Sequence, residues 1–193
     1  MLALLLPAGA GTLAAQADYY ARVGAIGAST LLRDVIVSEV TVRQSIAPMV
    51  ALGASVPIAP RYRVGLEATF SSGGFHSEEG GTETDLGTLR TGSVLLNLEG
   101  PITSQIHWRA GLGGIMYWPA DEEGIFARGG ATRLLAGGGV DYRRPVLARW
   151  DVMASARYDY HRFTTDELEL RGFSNSQGVS RVSVSVGLAR SLP

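Results

Sequence analysis

The chain has 193 residues, 17 basic and 18 acidic, a formal net charge of -1 and no cysteine. A near-neutral chain offers no electrostatic footprint for nucleic acid, and without cysteine there is no disulfide framework, thiolate metal site or cysteine nucleophile. All 17 basic residues are arginine and 25 residues are glycine, which suits a polar interior packed close to its own backbone: planar guanidinium for fixed ion pairs, glycine for close approach.

Residues 1–17, MLALLLPAGAGTLAAQA, carry no charge, run apolar from Leu2 to Leu6 and end in Ala15-Gln16-Ala17. A short apolar run closed by a small-x-small site predicts a signal peptide cleaved after Ala17, leaving one domain over residues 18–193. The run is too short to cross a membrane as a helix. It lacks a positive n-region, which leaves room for a start upstream of Met1.

From there the chain reads as strands. The first, residues 19–32, sets Val23 and Ala25 against Arg22 and Gly24 and alternates most weakly. The second, 40–58, sets Val40, Val42, Ile46, Val50, Leu52, Val56 and Ile58 against Thr41, Arg43, Ser45, Gly53 and Ser55, with a bulge expected at Pro48 because proline removes a ladder donor. The third, 61–71, opposes Tyr62, Val64, Leu66, Ala68 and Phe70 to Arg61, Arg63, Gly65, Glu67 and Thr69, and a polar loop is expected over 72–83. The fourth closes with Val94, Leu96 and Leu98 before the turn Glu99-Gly100-Pro101. The fifth, 105–118, places Ile106, Trp108, Ala110, Leu112, Met116 and Trp118 opposite His107, Arg109, Gly111 and Gly113. The sixth opposes Leu134, Ala136, Val140 and Tyr142 to Arg133, Gly137, Gly139 and Asp141, and Arg143-Arg144-Pro145 reads as its turn.

The seventh, ARWDVMASARYDYHRF over 148–163, is the most regular. Even positions are Ala148, Trp150, Val152, Ala154, Ala156, Tyr158 and Tyr160; odd positions are Arg149, Asp151, Met153, Ser155, Arg157, Asp159 and His161. A period of two over sixteen residues is a strand whose faces meet different solvents. Its rings lie at both ends of an aliphatic band, as on a membrane-spanning strand, and at ~3.3 Å per residue with a tilt near 45° the stretch from Trp150 to Tyr158 or Tyr160 climbs roughly 19 to 23 Å, close to the ~25 Å apolar band of an outer-membrane barrel. The eighth sets Val182, Val184, Val186 and Leu188 against Arg181, Ser183, Ser185 and Gly187.

Eight long strands, with short connections on one side and mostly long polar ones on the other, predict an all-β fold: an eight-stranded antiparallel up-and-down transmembrane β-barrel, short turns in the periplasm and loops outside. A closed barrel also satisfies every backbone group, a requirement in lipid. Through its signal segment, dyad strands such as YRVGLEATF and HWRAGLGGIMYW, and loop asymmetry, the sequence resembles the small eight-stranded outer-membrane barrels, the OmpA, OmpX and OmpW-like group. The resemblance implies residence in the bacterial outer membrane, contact with its lipid and lipopolysaccharide, and insertion by the barrel assembly machinery. It departs in ending GLARSLP rather than on an aromatic residue, and the peptidoglycan-binding module of some relatives is not expected after the barrel.

An eight-stranded barrel leaves an interior just wide enough for side chains to fill. The expected inward set includes Arg63, Glu67, Arg109, Arg133, Asp141, Asp151, Arg157 and Asp159, both signs on neighbouring strands, so an ion-pair network should plug the lumen. The expected aromatic girdle is Tyr62, Phe70, Trp108, Trp118, Tyr142, Trp150, Tyr158 and Tyr160. A structural, surface-type barrel without enzymatic activity, cofactor or metal is therefore expected, monomeric and with no nucleic-acid partner.

Three other readings remain open. The same residues could line a narrow channel for small solutes. Some barrels that this one resembles modify lipid A acyl chains with a histidine, a serine and an acid, for which Phe75-His76-Ser77-Glu78-Glu79 is the candidate motif, His107 and His161 facing the lumen instead. A soluble lipid-binding barrel would turn its apolar face inward, where rings at two heights have no use. Of the 18 acidic residues, 12 fall in the expected outer connections (Asp34, Glu39, Glu78, Glu79, Glu83, Asp85, Asp121, Glu122, Glu123, Asp166, Glu167 and Glu169). Clustered carboxylates there could hold divalent cations against lipopolysaccharide phosphates, although no spacing matches a defined calcium loop.

Overall fold

The computed structural model describes residues 17–35, 39–121, 124–170 and 177–192; the expected signal segment up to Gln16 and the carboxylates of Glu122 and Glu123 lie outside them. Its strands are β1 (Asp18–Ala28), β2 (Leu32–Val35), β3 (Glu39–Gln44), β4 (Ala47–Ala59), β5 (Tyr62–Glu79), β6 (Thr82–Pro101), β7 (Ile106–Pro119), β8 (Ala131–Leu147), β9 (Trp150–Phe163) and β10 (Gln177–Ser191), with a 3-10 turn at Gly124–Phe126 and a short helix α1 (Asp166–Leu170). Eight of the strands close into a ring. β4 to β10 pair antiparallel in chain order, and β1 joins both ends of that series, with Val23 opposite Val50 on one side and Val186 on the other. The expected eight-stranded antiparallel barrel is the fold observed.

The period-two pattern decides which side chain faces where, and the result inverts a water-soluble domain. Glu67, Arg109 and Asp141 are 1–2% exposed, whereas Leu134 is 87% and Val184 56% exposed. The alternation could only be this regular because the two faces meet lipid and lumen throughout. Two outward glycines are roofed by the girdle: an added Cβ would lie 2.7 Å from the Trp118 ring at Gly92 and 2.7 Å from Trp108 at Gly100. A ring laid over a glycine restores the side-chain cover that strand position lacks.

Both ends of the described chain and the two- to four-residue connections 60–61, 102–105 and 148–149 lie at one end of the barrel, the turn end. The opposite, loop end carries the 3-10 turn, α1 and a sheet that outgrows the ring. There β2 and β3 form a hairpin, and β3 pairs with the far part of β5, from Gln44 opposite Phe75 to Val40 opposite Glu79.

Five expectations about the elements are corrected. The region 72–83 is not a loop: β5 continues to Glu79 and β6 starts at Thr82, joined by Gly80 and Gly81 at φ of +55° and +84°. Both central residues of a tight two-residue hairpin need positive φ, which glycine supplies at no steric cost. Past Phe75, which packs into the mouth of the barrel, the stretch is polar on both faces because it stands beyond the barrel. The continuous strand 40–58 is broken at Ser45-Ile46 into β3 and β4, where the buried set switches from Val42 and Gln44 to Ala47, Met49 and Ala51. Pro48 stays in regular register opposite Ala25, and the register shift falls between Pro57 and Ala59 at the turn end, where a missing donor costs least. The first strand ends at Ala28, and Arg143, expected in a turn, lies within β8 with its side chain buried.

Val184, opposite Ala25 and Ala156 near mid-strand, tests the inversion. Val184→Arg is expected to cost about 2 to 4 kcal/mol, the range for arginine on the lipid face near the bilayer midplane. Ser185→Arg, pointing into the lumen, escapes lipid desolvation. Urea titration of both variants in lipid vesicles gives the comparison, and equal costs with folding in plain buffer would reverse the assignment of faces.

Candidate functional site

The lumen is filled in successive layers, each supplied by inward positions on several strands. Nearest the turn end, Asp18 on β1 accepts from Arg63 at 3.1 Å and from Arg143 at 3.4 Å, and Arg143 also donates to Glu99 at 2.9 Å. Arg63 is braced by Ser55, whose hydroxyl and carbonyl accept at 3.1 and 3.0 Å.

Above it lies a four-charge square from four strands. Arg109 donates to Glu67 at 2.5 Å and to Asp141 at 2.6 Å. Arg22, across the lumen, pairs with the same Glu67 oxygen and reaches Asp141 at 3.4 Å. Tyr20 donates to Glu67 at 2.8 Å, and Ser155 accepts from Arg109 at 3.2 Å. Two cations and two anions, every one of them buried, cancel locally, which is the condition under which buried charge is tolerated.

The third layer holds Arg157, donating to Asp159 at 2.6 Å and to Asn97 at 3.0 Å, with Arg181 donating to Thr91 at 2.8 Å. Glycines on β8 and β7 make room for it. A Cβ at Gly137 would sit 2.7 Å from Asp159 Cγ, and one at Gly111 would sit 3.1 Å from Asn97 Cγ. The space left among Arg22, Glu67, Ser155, Arg157 and Arg181 is a cavity of about 20 Å³, room for about one water molecule.

Toward the loop end the interior turns apolar. Tyr117 and His161 meet at 2.6 Å between Tyr117 Oη and His161 Nε2. Beyond them Phe75, Phe126, Tyr117 and Phe163 form a ring cluster with centroids 5.2 to 6.5 Å apart, packed with Leu31, Leu89, Leu168 and Val179. Phe126 comes from the 3-10 turn and Leu168 from α1, so two loop-end connections fold into the mouth. Thr165 ties them together, its hydroxyl donating to the Ile125 carbonyl at 2.6 Å and accepting from Leu168 N at 3.2 Å.

Of the expected inward residues, Glu67, Arg109 and Asp141 form the square, Arg157 and Asp159 the third layer, and Arg63 the first. Arg133 is placed apart, half-buried near the loop end, donating to the Thr164 carbonyl at 2.7 Å and 3.9 Å from Glu169. Asp151 is half-buried at the turn-end start of β9, outside the layers. Sequence reasoning passed over Arg22, Tyr20, Asp18, Glu99, Asn97, Arg143 and Arg181 as network members, although the strand period already put Arg22 and Arg181 on the inward face. It had no signal for Phe126 and Leu168 in the cap, because they enter from loops. The expected girdle residues face outward, Tyr62, Phe70, Trp118, Tyr142, Trp150, Tyr158 and Tyr160 at 36–51% exposure and Trp108 half-buried.

His76 lies on strand β5 rather than on a loop, 3.8 Å from Glu83. Ser77, its strand neighbour, projects to the other face, so the two cannot act as a nucleophile and base. Among the described residues no cluster of three or more histidine or acidic side chains could hold a metal ion.

No protein-family model and no curated protein sequence matches the chain. Solved structures do. Neisserial surface protein A aligns over 90% of this chain and 96% of its own with TM-score 0.54 and 13% identity. OprG, an outer membrane protein of Pseudomonas aeruginosa, aligns over 92% and 97% with TM-score 0.52 and 15% identity. The chain has the fold of the small bacterial outer-membrane β-barrels. The Escherichia coli outer membrane protease OmpT aligns over 92% and 97% with TM-score 0.50 and 11% identity. Since the outer-membrane barrel fold carries both a surface protein and a protease, chemistry is read from the residues and not from the fold.

Removing one member of the square strands the others. Glu67→Ala leaves Arg22 and Arg109 facing each other, and is expected to cost about 3 to 5 kcal/mol in vesicle-based urea unfolding, as for other broken buried pairs. A cost below about 1 kcal/mol, the level of an exposed pair, would mean that the square is hydrated and screened.

Proposed function

We propose that the protein is an integral barrel of the bacterial outer membrane, of structural or surface type, whose lumen is closed to solutes. The observation that carries this is the pair of seals in series: ion-paired and hydrogen-bonded layers through the middle of the barrel, and an aromatic cap across the loop end. A solute path would have to cross both, and the space between the central charges accommodates about one water molecule. The enzyme alternative finds no support in His76 and Ser77, which project from opposite faces of β5.

On this reading the turn end faces the periplasm and the loop end faces outward. The β5–β6 hairpin then projects beyond the membrane with Glu78, Glu79, Glu83 and Asp85 on its strands. Its partners are outer-membrane lipid and lipopolysaccharide, with the barrel assembly machinery during insertion, and it works as a monomer. Residues 1–17 serve as the export signal, and intact-mass analysis of the membrane-extracted protein should find a mature start at Asp18.

The test is conductance across a planar bilayer. The wild type is expected to give no steady current. Because the seals are in series, Glu67→Ala alone and Phe126→Ala with Phe163→Ala are each expected to stay closed, while the triple variant conducts. A large, stable pore in the unmutated protein would replace this reading with the channel.

A further inference from the structure

The outer wall is not uniformly covered. At Gly92, Gly100 and Gly178 an aromatic side chain lies 2.5 to 2.7 Å from where a Cβ would stand, whereas at Gly114 on β7 the nearest atom is the Arg133 carbonyl oxygen at 3.8 Å. Gly114 pairs with Leu134, and Leu112 with Ala136. Small outward residues beside large ones leave a groove of about 1000 Å³ along Leu112, Gly114, Leu134, Ala136 and Tyr160. Gly138 and Ala110, also paired, continue the small-residue floor toward the turn end.

The groove ends in charge. Arg162 lines it just loopward of Tyr160, one residue beyond the pairing of His161 with Leu135. It is exposed on the face that Tyr158 and Tyr160 share, and no ion pair or side-chain hydrogen bond engages it among the described residues. On the far side of the same wall, Arg90 projects from β6 opposite Trp118. Arginine at headgroup height above an apolar trough complements one kind of molecule, an acyl chain ending in an anionic phosphate.

Resting on the outward orientation proposed above, we propose that this β7–β9 groove is a specific docking site for one lipid A, the phosphorylated glycolipid of the leaflet that the loop end faces. Its acyl chain lies over Gly114 and Ala136, and a phosphate meets Arg162. Arginine serves because its planar fork grips phosphate bidentately. Glycine serves because any side chain at position 114 would fill the trough.

The experiment reconstitutes the full barrel in phosphatidylcholine vesicles holding equal minor fractions of bisphosphorylated lipid A and phosphatidylglycerol. Gentle detergent extraction and native mass spectrometry then count the lipid retained. The wild type should hold one lipid A in preference to phosphatidylglycerol. Arg162→Gln should lower retention about fivefold, the worth of one arginine near a membrane surface. Gly114→Leu, which meets no steric obstacle to folding, should lower it similarly, and Ala21→Leu on a distant part of the wall should not change it. Equal retention of the two lipids, or retention indifferent to Gly114→Leu, overturns the site while leaving the membrane barrel standing. A chain that never enters the vesicles overturns the membrane reading and this inference with it.

Discussion

Closure of the backbone hydrogen-bond ladder is the constraint on which the rest depends. In hydrocarbon an unpaired N–H or C=O costs several kcal/mol, so a sheet there has no tolerable edge. β1 supplies the closure by pairing with β4 along one side and with β10 along the other, over nine and eleven residue pairs. Once the ring is shut, every spanning residue points either to lipid or to lumen, and the chain's period-two pattern becomes a statement about two solvents. The sheet is free to grow edges again only past the ring, and it does so at the loop end, where β2, β3 and the far halves of β5 and β6 stand clear of the barrel.

Eight strands also set the width of what is enclosed. An interior that narrow cannot keep its polar residues hydrated, so its buried charges must find opposite charges or hydrogen-bond partners within reach across the lumen. Arginine answers this better than lysine would, because one guanidinium spans two carboxylates at once, as Arg109 does between Glu67 and Asp141. The glycines of β7 and β8 belong to the same arrangement, since Gly137 stands where a Cβ would strike Asp159. Charge balance and backbone clearance are thus one packing problem. It ends where the charges end, at Tyr117 and His161, above which rings from β5, β9 and the 3-10 turn close the mouth without needing partners for buried ions.

The outer wall has a different logic, since lipid offers no hydrogen bonds and little to choose between one apolar residue and the next. What varies there is relief. Aromatic side chains cover Gly92, Gly100 and Gly178 and smooth the wall there, whereas none lies over Gly114. Relief on a lipid-facing surface sets which lipids fit against it, and charge at its rim sets which headgroups stay.

The alternation of residues 148–163, the rings at the ends of their apolar face and the spacing of the strands were enough to read an eight-stranded antiparallel barrel from sequence alone, because period two maps directly onto the faces of a strand. Three features were decided only in the folded chain. The far half of β5 looked like a loop because beyond Phe75 its residues are polar on both faces, so the pattern that marks a strand in lipid is absent. The charge square joins Arg22 to Asp141 across 119 positions of sequence, a pairing set by the register and stagger of the closed ring, which no local pattern carries. The aromatic cap draws Phe126 and Leu168 from connections whose course depends on the mouth they fill. Alternation determines which face a residue occupies, while ring closure determines which residue it meets there.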